Sequence, residues 1–331
     1  MITDSRIAWG DQLGAQLTTL ANLFYVAEEN EQQLVLWEEL KNYRRGYQFL
    51  DVFDIDDIEI IKRSGKLKNN MVSRYCSHSG KKEKNWRKTM QRFYNNKIIY
   101  YMDRIMYELV RLDYKDFIRI TEDTEGGVHL SPTLQQLNSN KNYDINGGFG
   151  TYQDWKKYED VILNRISFKK EVMEKAAEKY NAIKTRHKYR IAVHFRRTDY
   201  LVLASLCLDN EYYKQAMSLF DSDQSSFLIF SDDIDEIKDL ELFKGRDVVL
   251  VRSDTAGVDM CLMSMCNANI IANSSYSFWA AMLNKHKDKT VVCPHDFIGE
   301  QCSSLCYMNG NWYPDNWIAL KRGIENGFEK E

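Results

Sequence analysis

In the second half of the chain, short apolar runs alternate with helical stretches, and this pattern constrains the fold more than any other feature. Residues 191–195 lead to a helix near 210–220. Residues 227–230 lead to the turn Ser231-Asp232-Asp233. Residues 248–251 precede a helix from about 257 to 266, and residues 270–272 precede the apolar helix 276–283. Residues 291–293 close the series. Strands that read as continuous apolar runs, separated by helices, predict a parallel, doubly wound α/β sheet. The loops after residues 195, 230 and 272 then all fall on the carboxyl edge, where open α/β sheets bind ligands.

The first of these loops carries His194-Phe195-Arg196-Arg197-Thr198-Asp199. Two adjacent arginines at the end of a buried strand call for an anion. The guanidinium is always charged, and its planar fork matches phosphate oxygens in a two-point contact. An Arg-Asp pair capping the strand is the plainer alternative. The double Arg, flanked by His and Asp, points instead to a phosphate-bearing ligand.

The other two loops are less specific. Ser274 or Ser275 can cap the helix that follows, or can receive phosphate oxygens together with its first amides. Asp232 and Asp233 can bind a divalent metal, accept from a nucleoside, or stabilise the next helix start through its dipole. Asp259 sits in the first turn of a helix otherwise lined by Met260, Leu262, Met263 and Met265. There it either accepts the paired N–H groups of a guanine edge or serves the helix dipole.

The first half shows a different organisation. Residues 6–9 predict a strand, followed by a glycine-containing turn and a helix with apolar positions Leu13, Leu17, Leu20, Leu23, Phe24 and Ala27. Residues 32–37 predict a second strand, and residues 95–112 and 152–165 predict helices. The break Asn146-Gly147-Gly148-Phe149-Gly150 places the domain boundary between 1–150 and 151–331. Between Lys62 and Arg104 there are thirteen Lys and Arg against two acidic residues, while the whole chain carries -3. Aromatics interleave this basic block: Tyr75, Trp86, Phe93, Tyr94, Tyr100 and Tyr101. Such a stretch fits an anionic membrane surface, nucleic acid or a phosphorylated acceptor, or else forms a solvated face. No apolar run approaches the roughly eighteen residues of a membrane span. Met1-Ile2-Thr3-Asp4-Ser5 lacks the start of a secretory signal. Seven cysteines without CxxC spacing predict reduced, structural thiols, and Cys302 and Cys306 lack a His pair to complete a zinc set. A cytoplasmic protein, held peripherally at the membrane's inner face, is expected.

Several of these segments together resemble the α-1,2-fucosyltransferases of glycosyltransferase family eleven. They are His194 to Tyr200, Ser231-Asp232-Asp233, Asp259 through Ser264, and Ile270-Ile271-Ala272-Asn273-Ser274-Ser275-Tyr276-Ser277-Phe278-Trp279. The HxRRxD element is similar to one shared with α-1,6- and protein O-fucosyltransferases. Gly147 to Thr151, with Trp155 and Tyr158, is similar to the segment before the family's second domain. The N-terminal half matches poorly.

The resemblance implies two facing Rossmann-like domains of GT-B-like architecture, an acceptor-side domain followed by a GDP-sugar-binding one. It implies metal-independent, inverting transfer of L-fucose from GDP-β-L-fucose to a galactose hydroxyl of a glycan acceptor in α-1,2 linkage, as in bacterial O-antigen synthesis. Arg196 and Arg197 would meet the diphosphate, Asp259 the guanine, and Asn273, Ser274 and Ser275 the phosphates, with Asp232 and Asp233 also on the donor side. The family's Gly-Asn-Gln-Leu turn stands here as Gly14-Ala15-Gln16-Leu17, leaving the backbone amides of Gly14 and Ala15 as its donors. Asp199 leads as the acceptor's base, before His194 and Asp11. A non-enzymatic nucleic-acid or anionic-surface module built on residues 62–104 is the competing expectation. The net acidity of the rest of the chain, and the double Arg far from that block, argue against nucleic acid.

Overall fold

The computed structural model describes residues 1–7, 12–39, 46–79, 97–121, 132–146, 151–198, 200, 207–221, 223–297 and 312–321. It divides into two compact units, Met1–Ser167 and Phe168–Glu331.

The second unit realises the predicted alternation. Its strands are β8 (Tyr189–Phe195), β9 (Ser225–Ser231), β10 (Asp247–Leu250), β11 (Ala268–Ile270), β12 (Thr290–Pro294) and β13 (Ile318–Leu320). Every pairing among them is parallel, in the order β10-β9-β8-β11-β12-β13. Counted along the unit, this is the 3-2-1-4-5-6 order of a doubly wound dinucleotide-binding sheet, and the order reverses between β8 and β11. Ile191, Val193, Phe195, Phe227, Ile229, Ile270 and Val292 form one buried cluster with Tyr212, Tyr213 and Met217 of the helix Asn210–Ser218. Burial of this order, at roughly 1.5–3 kcal/mol per large side chain, holds the sheet against its helices.

The first unit is also a parallel sheet, ordered β4-β2-β1-β6-β5. Its strands are β1 (Ile2–Thr3), β2 (Leu34–Trp37), β4 (Ile58–Ile61), β5 (Phe117–Thr121) and β6 (Asn142–Asn146). A separate pair joins β3 (Phe53–Ile55) to β7 (Ile166–Phe168). Helix α1 (Leu13–Glu29) buries nearly its whole length, including every apolar position predicted for it. Its order reverses between β1 and β6, so this sheet too has a switch point at its carboxyl edge.

Three expectations are corrected. The first strand is residues 2–3; of the expected strand 6–9, Arg6 and Ile7 lie in a turn and residues 8–9 fall outside the described residues. Asp144 takes the Ser5 amide at 2.8 Å and Asp4 takes the Arg6 amide at 2.6 Å, so those donors leave the ladder. The units divide after Ser167 rather than after residue 150. The segments Tyr152–Trp155 and Glu159–Asn164 pack on α1, and β7 pairs back to β3. These two segments were expected as one helix over 152–165, but a 3-10 turn at Lys156–Tyr158 interrupts it. The glycine break 147–150 and residues 80–96 of the basic block lie outside the described residues. Among the described residues no helix is long and apolar enough to cross a membrane.

Candidate functional site

The carboxyl edge of the second sheet brings the predicted loops together, and Asp232 is the hinge of the arrangement. One carboxylate oxygen accepts the Arg197 amide at 2.8 Å; the other meets the Arg196 guanidinium at 3.0 Å and also accepts from the Thr198 hydroxyl. The loops after β8 and β9 are thereby locked to each other. Tyr200 makes the next link. Its ring lies under the Arg196 guanidinium, 5.5 Å from centroid to Cζ, and its hydroxyl donates to the Asn273 carbonyl at 2.9 Å. Arg196 is thus oriented at the switch point between β8 and β11, its side chain 17% exposed.

Arg197 behaves differently, and this corrects its assignment to the diphosphate. It is buried, and its guanidinium donates to the Leu208 carbonyl at 3.0 Å, Asn210 Oδ1 at 3.4 Å and Cys207 Sγ at 3.4 Å. The cation lies over the rings of Phe195 and Tyr213, at 5.4 and 5.9 Å. It anchors the loop to the helix Asn210–Ser218.

His194 is buried at 4% exposure, and its Nδ1 has no hydrogen-bond partner. Burial, then the neighbouring Arg196 charge, push its pKa down to about 3. A neutral imidazole of such low basicity is a weak proton acceptor, so His194 is set aside as a base. Asp199 and Asp11, the other two candidates, lie outside the described residues. Asp233 caps the short helix Ile234–Ile237 by accepting the Glu236 amide at 3.3 Å, which is the helix-start role.

On the β11 side, Asn273 donates to the Phe297 carbonyl at 2.8 Å. Ser274 is the N-cap of the helix Ser275–Met282 but makes no side-chain capping bond. The first amides of that helix have no intrahelical acceptor, and together with the Ser274 and Ser275 hydroxyls they can receive anion oxygens. Tyr276, two residues on, donates to the Ala256 carbonyl at 2.6 Å and lies 5.5 Å from the His194 ring. Burial, then Asp259, raise its phenol pKa well above the usual value, while Arg196 opposes them. Tyr276 thus ties the start of this helix to the helix Ala256–Ser264, and the charges of Asp259 and Arg196 both act on its phenol.

Asp259 stands in the first turn of the helix Ala256–Ser264, only 7% exposed. It accepts from Ser253 Oγ at 2.6 Å, from the Asp254 amide at 3.4 Å and from Lys179 Nζ at 3.0 Å. Thr198, Tyr200, Tyr276 and Lys179 are the additions to the predicted set. The two tyrosines belong to the quoted motifs; Lys179, 80 positions from Asp259, carries no signal in the sequence.

In the first unit, Gly14 and Ala15 lie in the first turn of α1, behind Gln12, which makes no side-chain cap. The first unit also holds a buried polar network. Asp144 accepts Ser5 Oγ at 2.9 Å, Asn146 Nδ2 at 2.6 Å and Arg111 Nε at 3.3 Å. Tyr107 donates to Asn146 at 2.6 Å and shares a bond of 2.8 Å with Ser5 Oγ.

Among the described residues no three His, Cys, Asp or Glu side chains converge as a metal site. Cys207, Cys261, Cys266 and Cys293 are free thiols, and burial raises the pKa of Cys261 to about 11 and of Cys266 and Cys293 to about 12.

Comparison with known proteins bears on this geometry. The O-antigen biosynthesis glycosyltransferase WbnK of Escherichia coli is 34% identical over 139 residues, covering 39% of this chain and 44% of that protein. An α-1,2-colitosyltransferase of Escherichia coli is 32% identical over 143 residues, covering 40% of this chain and 48% of that protein. The matches thus span less than half the length of either relative. Solved structures similar to the chain include fucosyltransferase NodZ from Bradyrhizobium, at 16% identity over 86% of this chain and 91% of that one, with a TM-score of 0.44. Apo POFUT1 is similar at 12% identity over 88% and 96%, with a TM-score of 0.48. The family profile matches residues 137–321, more than half of the sequence and all the loops of the second sheet's carboxyl edge, and by that match the chain belongs to glycosyl transferase family 11.

Proposed function

We propose that the protein is an inverting glycosyltransferase that moves L-fucose from GDP-β-L-fucose to a galactose hydroxyl, forming an α-1,2 linkage on a surface-polysaccharide acceptor. The observation that carries this is Arg196, held by Asp232 and Tyr200 at the switch point of a doubly wound sheet, beside the start of the helix Ser275–Met282. Family membership and the O-antigen relative support the transferase class.

In such a transfer the acceptor oxygen approaches fucose C1 opposite the leaving GDP. The C1–O bond to the diphosphate breaks as the new glycosidic bond forms, and the acceptor's proton passes to a base or to water. Negative charge grows on the departing diphosphate, so a guanidinium fixed in advance stabilises the transition state more than the bound donor. The Asp232 carboxylate and Tyr200 ring supply that fixation. The Ser274 and Ser275 hydroxyls and the helix amides receive the remaining phosphate oxygens, and Asp259 accepts from the guanine edge. Asp199 is proposed as the base. No metal is required in this scheme, because the arginine and the helix start meet the leaving group's charge. If the acceptor is carried on lipid, the basic stretch 62–104 would keep the enzyme at the anionic leaflet.

The test is direct: purified protein with GDP-fucose and a galactoside acceptor, the product read by mass and its linkage by fragmentation. GDP-colitose is the second donor arm, since a related chain is named for that sugar. Transfer from neither donor, with no binding of GDP, would remove the proposal.

A further inference from the structure

We propose that Lys179 is a nucleobase-specificity residue of the donor site, reading guanine O6 beside Asp259; this rests on the guanine-nucleotide reading of that site. Lys179 sits in the last turn of the helix Lys170–Ala182, where the helix dipole favours a cation. Its ammonium donates to the Arg252 carbonyl at 2.5 Å and to Asp259 Oδ1 at 3.0 Å. An ammonium has three N–H donors, so the third has no acceptor among the described residues. The side chain is 23% exposed against 10% for Asp259, so the cation is the more accessible member of the pair.

The chemistry of the pair is complementary to one base edge. Guanine presents, side by side, the acceptor O6 and the donors N1–H and N2–H. Of the roughly four lone-pair sites of the Asp259 carboxylate, Lys179, Ser253 and the long 3.4 Å Asp254 contact take three. N2–H would take the open site on Oδ2, and N1–H would displace the Asp254 amide from Oδ1. Lys179, bonded to Oδ1, places a donor next to that oxygen, where O6 lies once N1–H is on Oδ1. Adenine carries an amino donor in place of O6 and would set donor against donor. A site built in this way rejects the wrong base by leaving a buried charge unpaired. Ser253 Oγ on Oδ2 fixes the rotation of the carboxylate. Tyr276 bonds the Ala256 carbonyl at the start of the helix that carries Asp259 and lies 5.5 Å from the ring of His194 on β8, so this pair belongs to the same sheet edge as Arg196.

The experiment is calorimetric binding of GDP, IDP and ADP to wild type, Lys179→Met, Lys179→Arg and Asp259→Asn, with a melting curve for each. IDP keeps O6 and N1–H but lacks the 2-amino group. Lys179→Met is expected to weaken GDP and IDP equally, roughly tenfold or more for a charge-assisted bond, and to leave ADP unchanged. Lys179→Arg should recover part of the loss. An equal loss for all three nucleotides, or an unchanged GDP affinity, would make Lys179 a structural tie between two helices and overturn the proposal. Loss of GDP-over-ADP preference in Asp259→Asn but not in Lys179→Met would keep the guanine reading and remove the lysine's part. A wild type without that preference would remove both.

Discussion

His194 gives the sharpest quantitative test of how this site is built. It is 4% exposed, and its folded pKa is about 3 against an ordinary 6.5. The sign follows from which state holds the proton. Above pH 6.5 the histidine is neutral in both states and adds no pH dependence. Below pH 6.5 the unfolded chain takes up a proton that the folded chain refuses until about pH 3, so acid favours unfolding across that window. At about 1.36 kcal/mol per pKa unit, the group alone removes about 2 kcal/mol of stability between pH 8 and pH 5. Carboxylates titrate in the same range, so the quantity to measure is a difference. Urea midpoints of wild type and His194→Asn, taken from pH 8 to pH 5, should converge by about 2 kcal/mol as pH falls, because the variant lacks the proton trap. Parallel curves would mean that His194 is not held neutral, and the case against it as a base would fall with them.

Other expectations are separable. Arg196→Lys should lose roughly a hundred- to a thousandfold in kcat with Tm unchanged, because lysine keeps the charge but not the two-point fork; near-normal turnover would show that the phosphate lies elsewhere. Arg197→Met should instead lower stability by about 3 kcal/mol in urea, leaving Leu208 O and Asn210 without their donor; an unaltered midpoint would contradict the anchoring role. Tyr107→Phe should reduce stability by about 1–3 kcal/mol, since Asn146 Oδ1 and Ser5 Oγ lose a buried partner. Transfer rates should be the same with and without EDTA; loss restored by Mn²⁺ would bring Asp232 and Asp233 back as metal ligands.

The second unit was legible because strands buried on both faces announce themselves. Residues 191–195, 227–230 and 291–293 lie inside observed strands, with ends displaced by a few positions. The first unit was not, because its central strands break that rule. β1 is two residues long, and β6 carries Asn142, Asp144 and Asn146, with Asp144 and Asn146 fully buried. Their polarity reads as loop until the partners from Ser5, Tyr107 and Arg111 are known, and those lie 33 to 141 positions away. The paired arginines show the same limit at the site. Successive side chains on extended backbone point to opposite sides, so Arg196 reaches the sheet edge while Arg197 turns into the interior. Adjacency suggested one shared task where geometry gives two.

The two switch points then have different chemistry. In the second unit the groups at the edge are held by one another yet remain reachable, with Arg196 17% and Asp232 21% exposed along their side chains. In the first unit the polar groups are spent internally. Asp144 is fully buried and takes bonds from Ser5, Asn146 and Arg111, which ties the turn just after β1 to β6. At the first turn of α1, Gly14 and Ala15 follow Gln12, which makes no side-chain cap. The polar side chains that hid β6 from sequence analysis are therefore ties within the first sheet, whereas Arg196 and Asp232 keep the exposure that a ligand needs.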